Sequence, residues 1–139
     1  MYLLDTDTLG HLQRGNSRVL KCLAPIAYDD LGISVITFIE VLRARFEYLI
    51  KAADARQLQE AQKWLDDSLQ ALNDWQIVRI DAASAAEFEQ LQTVRGLKKI
   101  GRRDILIASI ALANRAVLVT RNTRDFALVP NLIIENWVD

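Results

Sequence analysis

Residues 103–120, RDILIASIALANRAVLVT, combine a strongly apolar helical pattern with a short apolar run that follows it directly. The first part, residues 103–115, leaves little polar surface, which is typical of a helix buried in a protein interior. The second part, residues 116–120, is almost continuously apolar, as expected of a strand covered on both faces. A buried helix beside a buried strand favours a parallel sheet with helices packed against it.

The same alternation continues through the rest of the chain. Apolar runs predict further strands at residues 2–4, 33–36, 77–80 and 132–134. Helical spacing predicts a helix at residues 18–28, which Pro25 is expected to end or bend early. It predicts a second helix at 37–49, which continues after a break at 52–54 into a long helix ending near 73, and a further helix at 84–94. A capping box of Ser84 and Glu87 is expected to open the last of these. Strands alternating with helices predict an α/β fold, with a parallel sheet of about five strands and helices on both faces.

Composition limits the chemistry that the chain can support. At 139 residues, half of them hydrophobic, it is long enough for one compact domain. The single cysteine, Cys22, and the single histidine, His11, exclude a disulfide framework and a multi-thiolate zinc site. Any metal ion must therefore be held mainly by carboxylate oxygens, which favours Mg²⁺ or Mn²⁺.

The lengths of the apolar runs and the first residues of the chain indicate where in the cell the protein is expected. No run approaches the roughly 20 residues of a membrane span. The first five residues lack the basic start and apolar region of a signal peptide. We therefore expect a cytoplasmic protein with no membrane contact.

Several acidic and amide side chains fall where a parallel sheet would bind a ligand. Such sheets bind ligands beyond the carboxyl ends of their strands. The residues at those positions are Asp5 and Asp7 after the first strand, Glu40 a turn after the second, Asp104 at the start of the buried helix, and Asn122 and Asp125 after the fourth strand. Four separate segments would thus deliver oxygen ligands to one edge.

Each of these acids also has a purely structural interpretation. Asp5 or Asp7 would suit the N-cap of a first helix. Thr37 and Glu40 have the spacing of a capping box, and Asp104 would complement a helix dipole. Taken together, however, acids gathered at one edge repel one another unless a cation lies between them. The set as a whole therefore predicts a metal site.

Basic residues accompany the acids. They are Lys98, Lys99, Arg102 and Arg103 just before Asp104, and Arg43 a turn beyond Glu40. Positive charge around an acidic metal pocket suits a phosphodiester backbone, so these residues are candidates for RNA binding. The alternative is a solvated surface loop, because charge runs are commonly no more than that.

The motifs, in their order and spacing, resemble the PIN-domain family, in particular VapC-like toxins of bacterial toxin–antitoxin pairs. The matching stretches are LLDTDTL from Leu3, ISVIT from Ile33 followed by Glu40, DILIA from Asp104, and VTRNTRDF from Val119. The resemblance implies one PIN-like domain over residues 1–139. It further implies a Mg²⁺- or Mn²⁺-dependent endoribonuclease acting on tRNA or another structured RNA, a homodimer, and inhibition by a cognate antitoxin.

The resemblance also implies roles for individual residues. Asp5 and Asp104 would bind the metal directly, and Glu40 would bind it or orient the attacking water. Many family members carry an acid where this chain has Asn122, and Asp125 is expected to compensate for it. Thr120 and Asp7 would be supporting residues.

Two other functions remain open from the sequence. Asp5 and Asp7 after an apolar strand also resemble the motif of haloacid-dehalogenase-type phosphatases, with Asp5 as nucleophile and Asp7 as general acid/base. Leu9 stands where that motif has threonine, and the chain has no lysine after Lys99. The other alternative is a catalytically inactive PIN domain that serves only as a binding module.

Overall fold

A five-stranded sheet runs through the molecule, for which a computed structural model describes residues 1–139. Its strands are β1 (Tyr2–Leu4), β2 (Leu31–Ser34), β3 (Gln76–Val78), β4 (Val117–Val119) and β5 (Ile133–Glu135). All are parallel, in the order β3-β2-β1-β4-β5. Because β1 lies between β2 and β4, the segments that follow these three strands meet at one edge. We call this the carboxyl edge.

Seven helices connect the strands. They are α1 (Thr6–Gln13), α2 (Ser17–Leu23), α3 (Val35–Ile50), α4 (Ala55–Asn73), α5 (Ala82–Gln92), α6 (Arg102–Ala113) and α7 (Thr123–Phe126), with single 3₁₀ turns at Tyr28–Asp30 and Leu97–Lys99. As predicted, α2 ends before Pro25 and the long helical region is interrupted between α3 and α4. No helix is both long enough and apolar enough to cross a bilayer.

The alternation of side chains along the central strands creates two cores. Leu3 and Leu118 point to one face of the sheet, where they belong to a cluster that includes residues of α5 and α6. Leu4 and Val119 point to the other face and cluster with residues of α1, α2 and α4. The predicted α/β fold, with about five parallel strands and helices on both faces, is confirmed.

The start of α3 differs from the prediction. Val35 and Ile36 were expected to extend β2, but they form the first turn of the helix. The reason is local: the buried Ser34 is the N-cap, and its Oγ accepts a hydrogen bond from the Thr37 N–H at 3.1 Å. The predicted Thr37–Glu40 capping box is therefore wrong, and Glu40 is available for other contacts.

A similar shift affects α5. The N-cap is Asp81 rather than Ser84. The Ser84 N–H donates to Asp81 Oδ1 at 2.9 Å, and the Asp81 N–H donates to Ser84 Oγ at 2.7 Å. A capping box is present, but it begins three residues earlier than the spacing of Ser84 and Glu87 indicated.

Candidate active site

Asp5 lies at the middle of the carboxyl edge, between β1 and α1. Its backbone N–H donates to the Val119 carbonyl at 3.0 Å, which extends the pairing of β1 with β4 by one residue. Its side-chain Oδ1 accepts from the Thr8 N–H at 2.8 Å and caps α1. The buried Thr8 also donates its hydroxyl to the Val119 carbonyl at 3.2 Å. These contacts fix the backbone and one carboxylate oxygen of Asp5.

Glu40 lies in the second turn of α3, and both of its carboxylate oxygens are engaged. Oε1 accepts from the Thr6 hydroxyl at 3.1 Å, and Oε2 accepts from Arg103 Nη1 at 3.2 Å. The side chain of Glu40 is 23% exposed, whereas that of Arg103 is 67% exposed. One carboxylate thereby connects α1, α3 and α6. Sequence reasoning missed Thr6, whose contact with Glu40 spans 34 residues.

Asp104 is partly buried in the first turn of α6. Together with Asp5, Glu40 and Asp125 it forms the group that we call the acidic site. Burial raises the pKa of its carboxyl above the ordinary value, and the negative charges of Glu40, Asp125 and Asp5 raise it further. Arg103 acts in the opposite direction. Acids from three other segments of the chain therefore act electrostatically on Asp104.

Asp125, in α7, is held by residues that directly precede the helix. The Asn122 side-chain amide donates to Asp125 Oδ2 at 3.2 Å. The Asn122 backbone N–H donates in turn to the hydroxyl of the fully buried Thr120 at 3.0 Å. The charge of Asp125 acts on Asp104, so Asp125 belongs to the acidic site, while Thr120 and Asn122 are placed to orient it.

The side chains of the acidic site suit a hard divalent cation in their donor chemistry, because they offer only oxygen ligands. No three acidic, histidine or cysteine side chains are already grouped as metal ligands. One oxygen of Glu40 is instead paired with Arg103. The oxygen ligands of the acidic site fit Mg²⁺ or Mn²⁺, and one of these oxygens, on Glu40, is paired with the guanidinium of Arg103.

Asp7 lies apart from this group. It is exposed on α1, with Oδ2 3.6 Å from Arg121 Nη1 and 3.8 Å from His11 Nε2. Arg121 also pairs with Asp139 at 3.2 Å. The charge of Asp7 is not among those that raise the pKa of Asp104. The structure therefore brings Asp5, Glu40, Asp104 and Asp125 together and leaves Asp7 outside.

The basic candidates occupy different surroundings. Lys98 and Lys99 are exposed on the turn before α6. The guanidinium of Arg102 lies 5.0 Å from the ring centre of Phe88. Arg43 pairs with Glu47 at 3.1 Å within α3. Among these residues, Arg43 and Arg103 line a groove of about 330 Å³ together with Thr6, Glu40, Ala44 and Glu47.

Most of this fold, including the segments that carry the acids, matches a known protein family. The PIN domain family matches residues 2–132 of the chain. The chain belongs to the PIN-domain family. Ribonuclease VapC2 of Rickettsia felis is 33% identical over 116 residues, which cover 79% of this chain and 83% of that protein.

Solved structures support the same assignment. The VapBC2 complex of Rickettsia felis, bound to a DNA fragment from its promoter, contains a chain that matches with a TM-score of 0.74 and 29% identity over 98% of both chains. VapBC-1 of nontypeable Haemophilus influenzae matches with a TM-score of 0.80 over 99% of this chain and 98% of its own. At 20% identity, that likeness concerns the fold alone.

These comparisons confirm two predictions: the chain is a PIN domain similar to VapC ribonucleases, and it is a ribonuclease. PIN-domain ribonucleases generally depend on divalent metal ions. A toxin–antitoxin complex from Klebsiella pneumoniae also contains a chain that matches, with a TM-score of 0.64 and 28% identity over 96% of both chains.

Proposed function

We propose that this chain is a Mg²⁺- or Mn²⁺-dependent endoribonuclease that acts as the toxin of a toxin–antitoxin pair. The observation that carries the proposal is the partly buried Asp104, whose pKa is raised by burial and by the charges of Glu40, Asp125 and Asp5. Carboxylates that repel one another at a sheet edge favour a bound cation. Similarity to ribonuclease VapC2 supplies the class of substrate, and structured RNA such as tRNA is the class to test.

Each acidic residue has its own part in the proposed reaction. Asp5 and Asp104 would hold the ion directly, and Glu40 would hold it or orient the attacking water. Asp125 would provide the fourth negative charge, kept in place by the amide of Asn122. When bound, a divalent ion makes a bound water acidic and stabilises charge that develops on a phosphate. The hydrogen bond from the Thr8 N–H to Asp5 Oδ1 at the start of α1 keeps the Asp5 carboxylate oriented before any ligand arrives.

The RNA backbone would be bound by the basic residues beside the acids. Arg43 and Arg103 line the groove that contains Glu40, so they are the nearest candidates for phosphate contacts. Lys98, Lys99 and Arg102 precede Asp104 on the turn and helix start and would extend this surface. Such contacts contribute affinity for any sequence rather than base specificity.

A protein partner is supported by one face of α3. Ile39, Phe46 and Ile50 are 53, 57 and 68% exposed. Their spacing of seven and four residues puts them on one side of the helix. Exposed apolar stripes of this kind mark protein–protein contacts, and we assign this one to the antitoxin. A homodimer and a cytoplasmic location complete the proposal.

The phosphatase alternative is not favoured. It requires Asp7 to act as general acid/base beside Asp5, but Asp7 is exposed and pairs with Arg121 and His11. An inactive binding module would not need four mutually repelling acids, since they lower stability without a ligand.

Expression of the chain alone in bacteria, with and without the reading frame next to its gene, tests the proposal. We expect the wild-type chain to slow growth and the purified protein to cut tRNA when Mg²⁺ or Mn²⁺ is added. Substitution of Asp5, Glu40 or Asp104 by alanine should each abolish cleavage. The losses should be non-additive, because the three residues act as one unit.

The triple alanine variant is the decisive control. Equal cleavage by this variant and the wild type, with contaminating nuclease excluded, would rule out this site. Loss of activity on a small phosphate ester in Asp7→Asn alone would instead support the phosphatase. Relief of growth inhibition by the neighbouring frame would identify the antitoxin.

A further inference from the structure

We propose that Arg103 is an internal competitor of the divalent cation, because its guanidinium is paired with Glu40, one of the proposed metal ligands. This inference rests on the proposed function, since it concerns the same metal site. It adds a positioning residue that controls how tightly the ion binds. The motivating contact joins Arg103 Nη1 to Glu40 Oε2 at 3.2 Å, across 63 residues of sequence.

With this contact, each oxygen of Glu40 has one hydrogen-bond partner. Its other oxygen, Oε1, already accepts from the Thr6 hydroxyl. A cation that takes Oε2 as a ligand would lie beside the guanidinium of Arg103 and would be repelled by its positive charge. The side chain of Arg103 is largely exposed, so it has room to leave without disturbing the core.

Arg103 is also the basic residue whose charge opposes the acids at Asp104. Its position next to Asp104 in α6 puts the same positive charge near two of the proposed ligands. The guanidinium repels a divalent cation bound at this site, and the energy of this repulsion is proportional to the product of the two charges. Loss of that charge should therefore strengthen binding of a divalent ion, whereas loss of an ordinary supporting residue would weaken it.

Arg102 offers a matched control because it adjoins Arg103 but points elsewhere. Its guanidinium lies over the ring of Phe88, and it forms no ion pair. Arg102→Gln and Arg103→Gln change the net charge equally. They differ in whether the lost charge was paired with Glu40.

The experiment is calorimetric titration of the purified full chain with MnCl₂, without RNA, for the wild type, Arg103→Gln, Arg103→Lys and Arg102→Gln. We expect Arg103→Gln to lower the Kd for Mn²⁺ about tenfold, as removal of one nearby charge predicts. Arg102→Gln should change the Kd by less than about twofold, because a more distant exposed charge is screened by salt. Arg103→Lys should remain near the wild type because it keeps the charge. The rise in melting temperature at a fixed Mn²⁺ concentration should be largest for Arg103→Gln.

The outcomes separate this inference from the function on which it rests. If Asp104→Asn loses Mn²⁺ binding while Arg103→Gln binds Mn²⁺ as tightly as the wild type or more weakly, Arg103 is not a competitor, but the metal site stands. Equal tightening in Arg102→Gln or in Arg103→Lys would also overturn it, because the effect would then not come from the charge paired with Glu40. If no variant, Arg103→Gln included, binds Mn²⁺, the metal site and the competition are both wrong.

Discussion

Asp5 and Asp81 hold the same local position in two parts of the molecule. Each follows a strand at the carboxyl edge and caps the next helix, with Oδ1 accepting the backbone N–H three residues later at 2.8 and 2.9 Å. Their surroundings differ. Asp81 follows β3, the edge strand, and is exposed, while Asp5 follows the central β1 and is partly buried.

The two regions also differ in their electrostatics. Hydrogen bonds from the Ser84 backbone and hydroxyl hold the pKa of Asp81 below its ordinary value. At the other position, the charge of Asp5 helps to raise the pKa of Asp104. A capping role is therefore compatible with a site role. What distinguishes the two aspartates is whether neighbouring strands bring further acids to the same place.

Asparagine at each position gives the sharpest test of this difference, because asparagine caps a helix as well as aspartate does. Asp5→Asn keeps the cap but removes a charged ligand, and we expect RNA cleavage to fall by about 100-fold or more. Asp81→Asn should leave cleavage at the wild-type level. Initial rates on one tRNA at a fixed Mg²⁺ concentration measure both.

Thermal melting of the same two variants controls for folding. Both should melt close to the wild type, since each retains its cap. Equal losses of cleavage in Asp5→Asn and Asp81→Asn would mean that position on the central strand confers no special role.

A smaller effect is expected at the fourth acid. Asp125→Asn removes one of the charges that act on Asp104, and we expect cleavage to fall about tenfold, as for residues that orient or support metal ligands. Asn122→Ala should have a weaker effect, because it removes only the amide that donates to Asp125. Single-turnover rates at saturating Mg²⁺ would resolve the order, and a larger loss in Asn122→Ala would assign the main role to that residue.

Much of the fold was predictable because each central strand is an apolar run. The bounds of β1 agree with the prediction at both ends. The end of β2 was not predictable from apolarity, since Val35 and Ile36 suit a strand and a helix equally well. The hydroxyl of Ser34 decides between them by capping α3.

The site was predictable to a similar extent. Parallel topology indicated that Asp5 and Glu40 lie at the carboxyl edge, because it determines which segments meet there, but it brings Asp81 to the same edge and does not by itself select the acids of the candidate site. The partners of Glu40 were not predictable. Thr6 and Arg103 reach it from α1 and α6 through the packing of helices, and no local pattern records such contacts.

Stability should respond in opposite ways at Asp104 and Asp81. The raised pKa of Asp104 means that folding favours its neutral form. Its contribution is then most favourable below the ordinary value of 3.8 and is lost as the pH rises through the folded-state pKa. Without metal, Asp104→Asn should therefore melt above the wild type at neutral pH. The difference should disappear as the pH falls toward 4.

Asp81 has the opposite sign. Its lowered pKa gives stability that is present above the ordinary value and is lost as the pH falls through the folded-state pKa. Asp81→Asn should therefore melt no higher than the wild type at neutral pH. Melting curves from pH 4 to 8 in the presence of a chelator measure both variants. A lower melting temperature for Asp104→Asn at neutral pH would contradict mutual repulsion among the acids.

The smallest expected effect concerns the reach of the basic surface beside the acids. Lys98→Glu with Lys99→Glu reverses two exposed charges on the turn that leads into α6. If both lysines contact phosphates, the slope of log K against log salt concentration should become shallower by about 1.4 to 1.8, as expected for two lost contacts.

The control variant, Lys51→Glu with Lys63→Glu, makes the same change in net charge at two exposed positions, one at the end of α3 and one in α4. It should leave the slope unchanged. Binding of RNA to the inactive Asp5→Asn chain at several salt concentrations measures the slopes. Equal slopes for the two double variants would mean that Lys98 and Lys99 only solvate the turn, and that the RNA-binding surface ends at Arg103 and Arg43.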